Sequence, residues 1–137
     1  MIRYLVDTSA LNRMNRPAVD AVLTPLVSQG AVAVSTPVLL ESMFSIRAKD
    51  FERTLVTFQA SMRSLPLTPQ SCERAVEVQR LLGRNAQHRT AKVVDLLTAA
   101  CAEVNHLTLL HYDKDYDAIA AVTGQPTMWV VPAGTVP

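Results

Sequence analysis

The chain has 137 residues, of which 49% are hydrophobic and 18% charged, with a formal net charge of +1. This is the size of one ordinary domain, predicted here to span residues 1–137, and the apolar fraction excludes a disordered chain. No apolar stretch approaches the length of a membrane span, and the N-terminus reaches Asp7 too early for a signal peptide. The sequence therefore predicts a cytoplasmic protein.

Short apolar runs alternate along the chain with longer amphipathic segments. Proline and glycine mark several boundaries: Pro37 suits the first turn of a helix, Gly30 suits the end of one, and Pro25 predicts a kink or break near Thr24. In chain order, the predicted elements are a strand at 2–6, a helical turn at 10–14, a helix at 17–29, a strand at 31–35, helices at 36–48 and 50–63, an edge strand at 65–67, helices at 68–82 and 95–104, a strand at 107–110, a helix at 115–122 and a strand at 127–131.

This alternation predicts a three-layer α/β/α sandwich with a mostly parallel central sheet. In such sheets ligands bind beyond the carboxyl ends of the strands. Asp7 follows the first predicted strand and Asp113 closely follows a later one. Both are therefore expected at the same edge of the sheet.

Four acids stand at the ends of apolar runs in four separate segments: Asp7, Glu41, Asp95 and Asp113. An acid in such a place is expected to be partly buried, and a buried carboxylate is costly without a cation or a strong donor. Carboxylate oxygens are the ligands that hard divalent cations prefer. The repeated arrangement predicts one shared oxygen-rich site for a divalent metal.

Each acid also has a purely structural interpretation. Asp7 and Asp95 could cap the helices that follow them, and Glu41 could pair with Arg47 or another basic residue on the surface. The acids between 113 and 117 could form a solvated turn. This alternative requires four unrelated explanations, whereas a shared metal site requires one.

A second charge pattern runs from Val78 to Val94, where there is no acid. The segment could contact phosphate groups, or it could be a solvated helix face followed by a loop. Its basic residues and histidine are Arg80, Arg84, His88, Arg89 and Lys92.

Four segments of the chain, in order, resemble the motifs of PIN domains. They are residues 5–11 (LVDTSAL), 37–41 (PVLLE), 95–100 (DLLTAA) and 109–117 (LLHYDKDYD). The resemblance covers essentially the whole chain, and among PIN proteins the chain is most similar to VapC, the toxin of bacterial VapBC toxin–antitoxin systems.

The resemblance implies a PIN fold and a Mg²⁺- or Mn²⁺-dependent endoribonuclease. It implies cleavage of transfer RNA or ribosomal RNA, a homodimer, and inhibition by a VapB antitoxin. Carried over by position, the catalytic and metal-binding acids are Asp7, Glu41, Asp95 and Asp113, and Asp115 is a further candidate metal ligand.

Other functions stay open at this point. The chain could be an RNA-processing PIN nuclease that is not a toxin, or an inactive PIN-like binding module. A metal-free ribonuclease would use paired histidines as acid and base, but His88, His106 and His111 show no spacing typical of that pair.

Overall fold

Five short strands form one sheet in the computed structural model, which describes all 137 residues. The strands are β1 (Tyr4–Val6), β2 (Val32–Ser35), β3 (Arg63–Leu65), β4 (Thr108–His111) and β5 (Thr127–Trp129). Their order across the sheet is β3-β2-β1-β4-β5, and every neighbouring pair is parallel. All carboxyl ends therefore meet at one edge of the sheet.

Helices connect the strands and cover both faces of the sheet. They are α1 (Thr8–Leu11), α2 (Pro17–Ser28), α3 (Thr36–Phe44), α4 (Phe51–Ser61), α5 (Pro69–Arg84), α6 (Val93–Val104) and α7 (Asp115–Thr123). A single 3-10 turn at Ala48–Asp50 precedes α4. No helix is long and apolar enough to cross a membrane.

The two central strands divide the core between the faces of the sheet. Leu5 and its partner Leu109 pack on one face against α5, α6 and α7, whereas Val6 and Leu110 pack on the other against α1, α2 and α3. All four side chains are fully buried. This alternation is the two-residue period of a strand, and it confirms the predicted three-layer α/β/α sandwich.

Several element boundaries differ from those predicted. The third strand lies at Arg63–Leu65 rather than at 65–67, because Pro66 has no N–H to donate to a sheet. α3 ends at Phe44 rather than near Ala48, since the backbone of Arg47 is extended. α2 continues through Pro25 without a break, at the loss of one backbone donor.

α5 and α6 form an antiparallel pair on one face of the sheet. Near the start of α5, Arg74 Nε donates to Glu103 Oε1, near the end of α6, at 2.6 Å. Thr68 and Ser71 begin α5 with a reciprocal capping box. The second half of α5 therefore runs toward the start of α6, which carries Asp95.

Replacing Leu110 by Ala tests the packing of the central strand. The side chain is fully buried, so its loss should lower the free energy of unfolding by about 2–5 kcal/mol in urea denaturation. The matched control is Val76→Ala on α5. Val76 is 68% exposed, so its substitution should change the free energy of unfolding by about 0.5 kcal/mol or less. Similar effects of the two substitutions would contradict this description of the core.

Candidate active site

The four acids predicted from the sequence line one cleft at the carboxyl edge of the sheet. This acidic cleft has a volume of about 400 Å³, and none of its lining residues is hydrophobic. Asp7 directly follows β1, and its backbone N–H donates to the carbonyl oxygen of Leu110 at 2.9 Å. The lining residues are Asp7, Thr8, Ser9, Asn12, Arg13, Glu41, Ser42, Ser45, Lys92, Asp95 and Asp113.

Asp7 is the most deeply placed of the four, with 4% of its surface exposed. Its Oδ2 accepts a hydrogen bond from the backbone N–H of Ser9 at 3.0 Å, which caps α1. The Ser9 hydroxyl in turn accepts from the backbone N–H of Tyr112 at 2.9 Å. Asp7 therefore caps α1 and lines the cleft at the same time. Ser9 connects the segment after β1 to the segment after β4 through its hydrogen bond with Tyr112.

Asp95 is held from both sides. Its Oδ2 accepts from the backbone N–H of Lys92 at 3.1 Å, and its Oδ1 accepts from the hydroxyl of Tyr116 at 3.3 Å. Burial raises the pKa of Asp95, and the charges of Asp7 and Asp113 raise it further against the lowering effect of the Lys92 N–H. The carboxylate is thus fixed in place although its charge is disfavoured there.

Asp113 and Asp115 lie beside Asp95. The carboxylate oxygens of these three acids come within 4.8 Å of one another. Asp113 Oδ1 accepts from the backbone N–H of Asp115 at 2.9 Å. Burial raises the pKa of Asp115, and the charge of Asp113 raises it further. Three carboxylates therefore share a small volume.

Asp7 and Glu41 face the same cleft but stand outside this group of three. Glu41 is exposed on the solvent side of α3. Asp117 is engaged elsewhere, because its Oδ1 accepts from Trp129 Nε1 at 3.2 Å. Of the candidate metal ligands, the structure thus brings Asp95, Asp113 and Asp115 closest together.

The donor set fits a hard divalent cation. The atoms of the close group are all carboxylate oxygens, the ligand type of Mg²⁺ and Mn²⁺, and no thiol or imidazole joins them. His111 is fully buried next to the cleft, and its Nδ1 accepts from the Asp113 N–H at 3.1 Å. Burial lowers the pKa of His111, so a neutral imidazole supports the Asp113 loop.

Sequence reasoning missed Tyr116 as part of the site. Its side chain is fully buried, with its ring 5.0 Å from that of His111, and its hydroxyl faces Asp95. Burial, followed by the charges of Asp7 and Asp95, raises its pKa well above the ordinary value, so the hydroxyl keeps its proton and donates. In the sequence Tyr116 resembles an ordinary core residue three positions before Ile119.

Comparison with known proteins adds an independent line of evidence. The PIN-domain family matches residues 4–122 of the chain. Ribonuclease VapC51 of Mycobacterium tuberculosis is 43% identical over 135 residues, which is 98% of this chain and 98% of that protein. The chain belongs to the VapC family of PIN-domain ribonucleases.

Other relatives agree with this assignment to the VapC family. Ribonuclease VapC21 of M. tuberculosis is 40% identical over 134 residues, with 97% of each chain covered. A DNA-bound VapBC structure from Salmonella typhimurium matches with a TM-score of 0.77 at 13% identity, covering 96% of this chain and 100% of that one. At 13% identity this match shows only that the two proteins share a fold, and that shared fold agrees with the PIN-domain match.

Replacing Asp95 by Asn should stabilise the metal-free protein at neutral pH. The pKa of Asp95 is raised in the folded state, so its ionisation costs stability as the pH rises through that pKa. Asn keeps the size of the side chain and removes the charge. In EDTA, thermal unfolding should give a higher Tm for the variant at pH 7, and the difference should shrink as the pH falls toward about 4.

Glu73→Gln is the control for this pH effect, because Glu73 is exposed on α5 and forms no ion pair. Its Tm relative to the unsubstituted protein should not show the same dependence on pH. An Asp95→Asn protein that is less stable at pH 7 would contradict the described cost of ionising Asp95.

Proposed function

We propose that the acidic cleft is the catalytic centre of this VapC-family ribonuclease and that it hydrolyses phosphodiester bonds in RNA with Mg²⁺ or Mn²⁺. The single observation that carries the proposal is the approach of the Asp95, Asp113 and Asp115 carboxylates within 4.8 Å. Like charges at this distance repel one another, and a divalent cation removes the repulsion.

The proposed metal ligands are Asp95, Asp113 and Asp115, together with Asp7 in the same cleft. A bound ion would supply a water of lowered pKa and would offset negative charge on the reacting phosphate. The backbone N–H groups that hold the acids leave them little freedom to rotate. This orientation is the part of catalysis that the chain itself provides.

Glu41 has a different proposed role. It is exposed and stands apart from the close group, which suits a carboxylate that meets the attacking water rather than the ion. In this role Glu41 accepts a proton from the water as it attacks the phosphorus atom, while the bond from phosphorus to the departing 3′ oxygen breaks and that oxygen takes a proton from solvent. Lys92 and Arg13 line the same cleft and bring positive charge to the phosphate.

The proposed substrate is transfer RNA or ribosomal RNA in the cytoplasm, where its cleavage stops translation. The proposed inhibitor is a VapB-type antitoxin, in line with the VapBC complexes that share this fold. We also propose a homodimer.

Exposed apolar surface supports the proposed binding of protein partners. Phe44 is 91% exposed and Leu40 is 66% exposed. A separate cleft of about 500 Å³ has Met14, Val27 and Phe58 among its lining residues.

The first test is cleavage of total cellular RNA by the purified protein free of antitoxin. Asp7→Asn should lower the rate by about 100-fold or more, because a neutral amide holds a cation poorly. EDTA should abolish cleavage, and added Mg²⁺ or Mn²⁺ should restore it. The control is Asp20→Asn, an exposed acid on α2, which should keep full activity.

Cleavage that continues in EDTA and in Asp7→Asn would contradict the proposed chemistry. Absence of cleavage by the unsubstituted protein with either metal would instead favour an inactive binding module.

Tyr116→Phe tests how the acids are held. The substitution keeps the buried ring and removes the only side-chain donor to Asp95, so Oδ1 loses its fixed orientation. Outer partners of metal ligands typically contribute 10- to 100-fold in affinity, and we expect Mn²⁺ binding to weaken by about 10-fold in calorimetric titration. Tyr4→Phe is the control, since Tyr4 does not line the cleft. Equal Mn²⁺ affinity of the two variants would contradict a role for the Tyr116 hydroxyl.

A further inference from the structure

Along the antiparallel pair of α5 and α6, acidic side chains lie at one end and basic side chains at the other. One end carries the acids Glu73, Glu77 and Glu103 together with Arg74, which pairs with Glu77 at 3.0 Å and with Glu103 at 2.6 Å. The other end and the loop that joins the helices carry no acid before Asp95. This basic end consists of Arg80, Arg84, His88, Arg89 and Lys92.

The basic end is connected to the acidic cleft through Lys92. The Arg74–Glu103 pair lies near the start of α5 and near the end of α6, so the second half of α5 runs toward the start of α6. Val93 at the start of α6 shares a surface depression with Val76 and Gln79 in the middle of α5, so the last turns of α5 continue beyond the start of α6. Lys92 belongs to both features, because it immediately precedes α6 and also lines the acidic cleft.

The side chains of the basic end, which are four cations and one histidine, are free to meet a ligand. All five side chains are exposed, and none takes part in an ion pair, since the pairs in the protein are those of Arg53 with Asp50 and of Arg74 with its two glutamates. Unpaired cations clustered on one surface attract polyanions. A merely solvated helix would instead intersperse charges of both signs, as the other end of α5 does.

The loop that carries His88, Arg89 and Lys92 is well anchored. The backbone N–H of Gln87 donates to the carbonyl oxygen of Leu82 at 2.8 Å, and that of Thr90 donates to Gln87 at 3.0 Å. Ala91 is 7% exposed and packs into the core with α5 and α6. The cations are therefore presented from a fixed backbone, which lowers the entropy lost when they bind.

We infer that the basic end of the α5–α6 pair binds the phosphodiester backbone of the RNA strand that enters the acidic cleft at Lys92. The inference rests on the proposed function, and it assigns the path of the substrate outside the site of cleavage. It also explains how a polyanion can approach an acidic cleft. A cleft lined by four acids repels RNA, and cations beside the cleft offset that repulsion before the scissile phosphate reaches the metal.

The test compares two double variants with the same change in net charge. Arg84→Gln/Arg89→Gln removes two cations of the basic end. Arg3→Gln/Arg63→Gln is the matched control, because these exposed arginines lie at the starts of β1 and β3, on the opposite edge of the sheet. Both are made in the Asp7→Asn background, and binding of fluorescein-labelled bulk transfer RNA is followed by anisotropy over a range of KCl concentrations.

Phosphate contacts are read from the dependence of affinity on salt. Each lost contact should reduce the slope of log affinity against log salt by about 0.7–0.9. We therefore expect a reduction of about 1.5 and a several-fold weaker affinity for the basic-end variant. The control variant should differ from its background by less than about twofold.

Kinetics separate this inference from the proposed function. With Asp7 restored, Arg84→Gln/Arg89→Gln should raise KM for RNA and leave kcat nearly unchanged, because binding is weakened equally before and during the reaction. Equal salt slopes for the two double variants would overturn the inference, whether or not the protein cuts RNA. A loss of cleavage in Asp7→Asn alongside equal slopes would leave the proposed function intact.

Discussion

Repulsion among carboxylates is the constraint on which the rest of this site depends. Asp95, Asp113 and Asp115 lie within 4.8 Å of one another, and Asp7 and Glu41 face the same cleft. The mutual repulsion of these acids opposes folding, and the arrangement persists because other parts of the structure hold each acid. The close-packed core of the sandwich offsets the cost, as is usual at functional sites.

The parallel sheet explains why the acids meet. β1 and β4 are neighbours in register, so the residues that follow them emerge side by side at the carboxyl edge. Asp7 comes from the first of these ends and Asp113 from the second. α6 adds Asp95 through its first turn, and α7 begins at Asp115. Distant segments thus contribute to one cleft because the topology directs all strand ends to the same edge.

The donors around the acids have a common character. Backbone N–H groups of Ser9, Lys92 and Asp115 each bind one carboxylate, and the buried hydroxyl of Tyr116 binds another oxygen of Asp95. These donors orient the acids without neutralising them, which leaves the charge available to a cation. The exposed basic end of α5 and α6 supplies positive charge at the rim instead.

The sequence alone determined the fold class and picked out the four acids that line the cleft, because both inferences depend on local patterns. Apolar runs alternating with helical segments predict a parallel α/β sandwich, and an acid after an apolar run can be found by inspection. The ends of the elements were predicted less accurately. The apolar pattern predicted a strand through residue 67, whereas β3 ends at Leu65, before Pro66. Only the tertiary structure decided which acids come closest, that Tyr116 turns its hydroxyl toward Asp95, and that the basic stretch ends inside the cleft at Lys92. These features are distances between parts of the chain far apart in sequence, and no local periodicity encodes them.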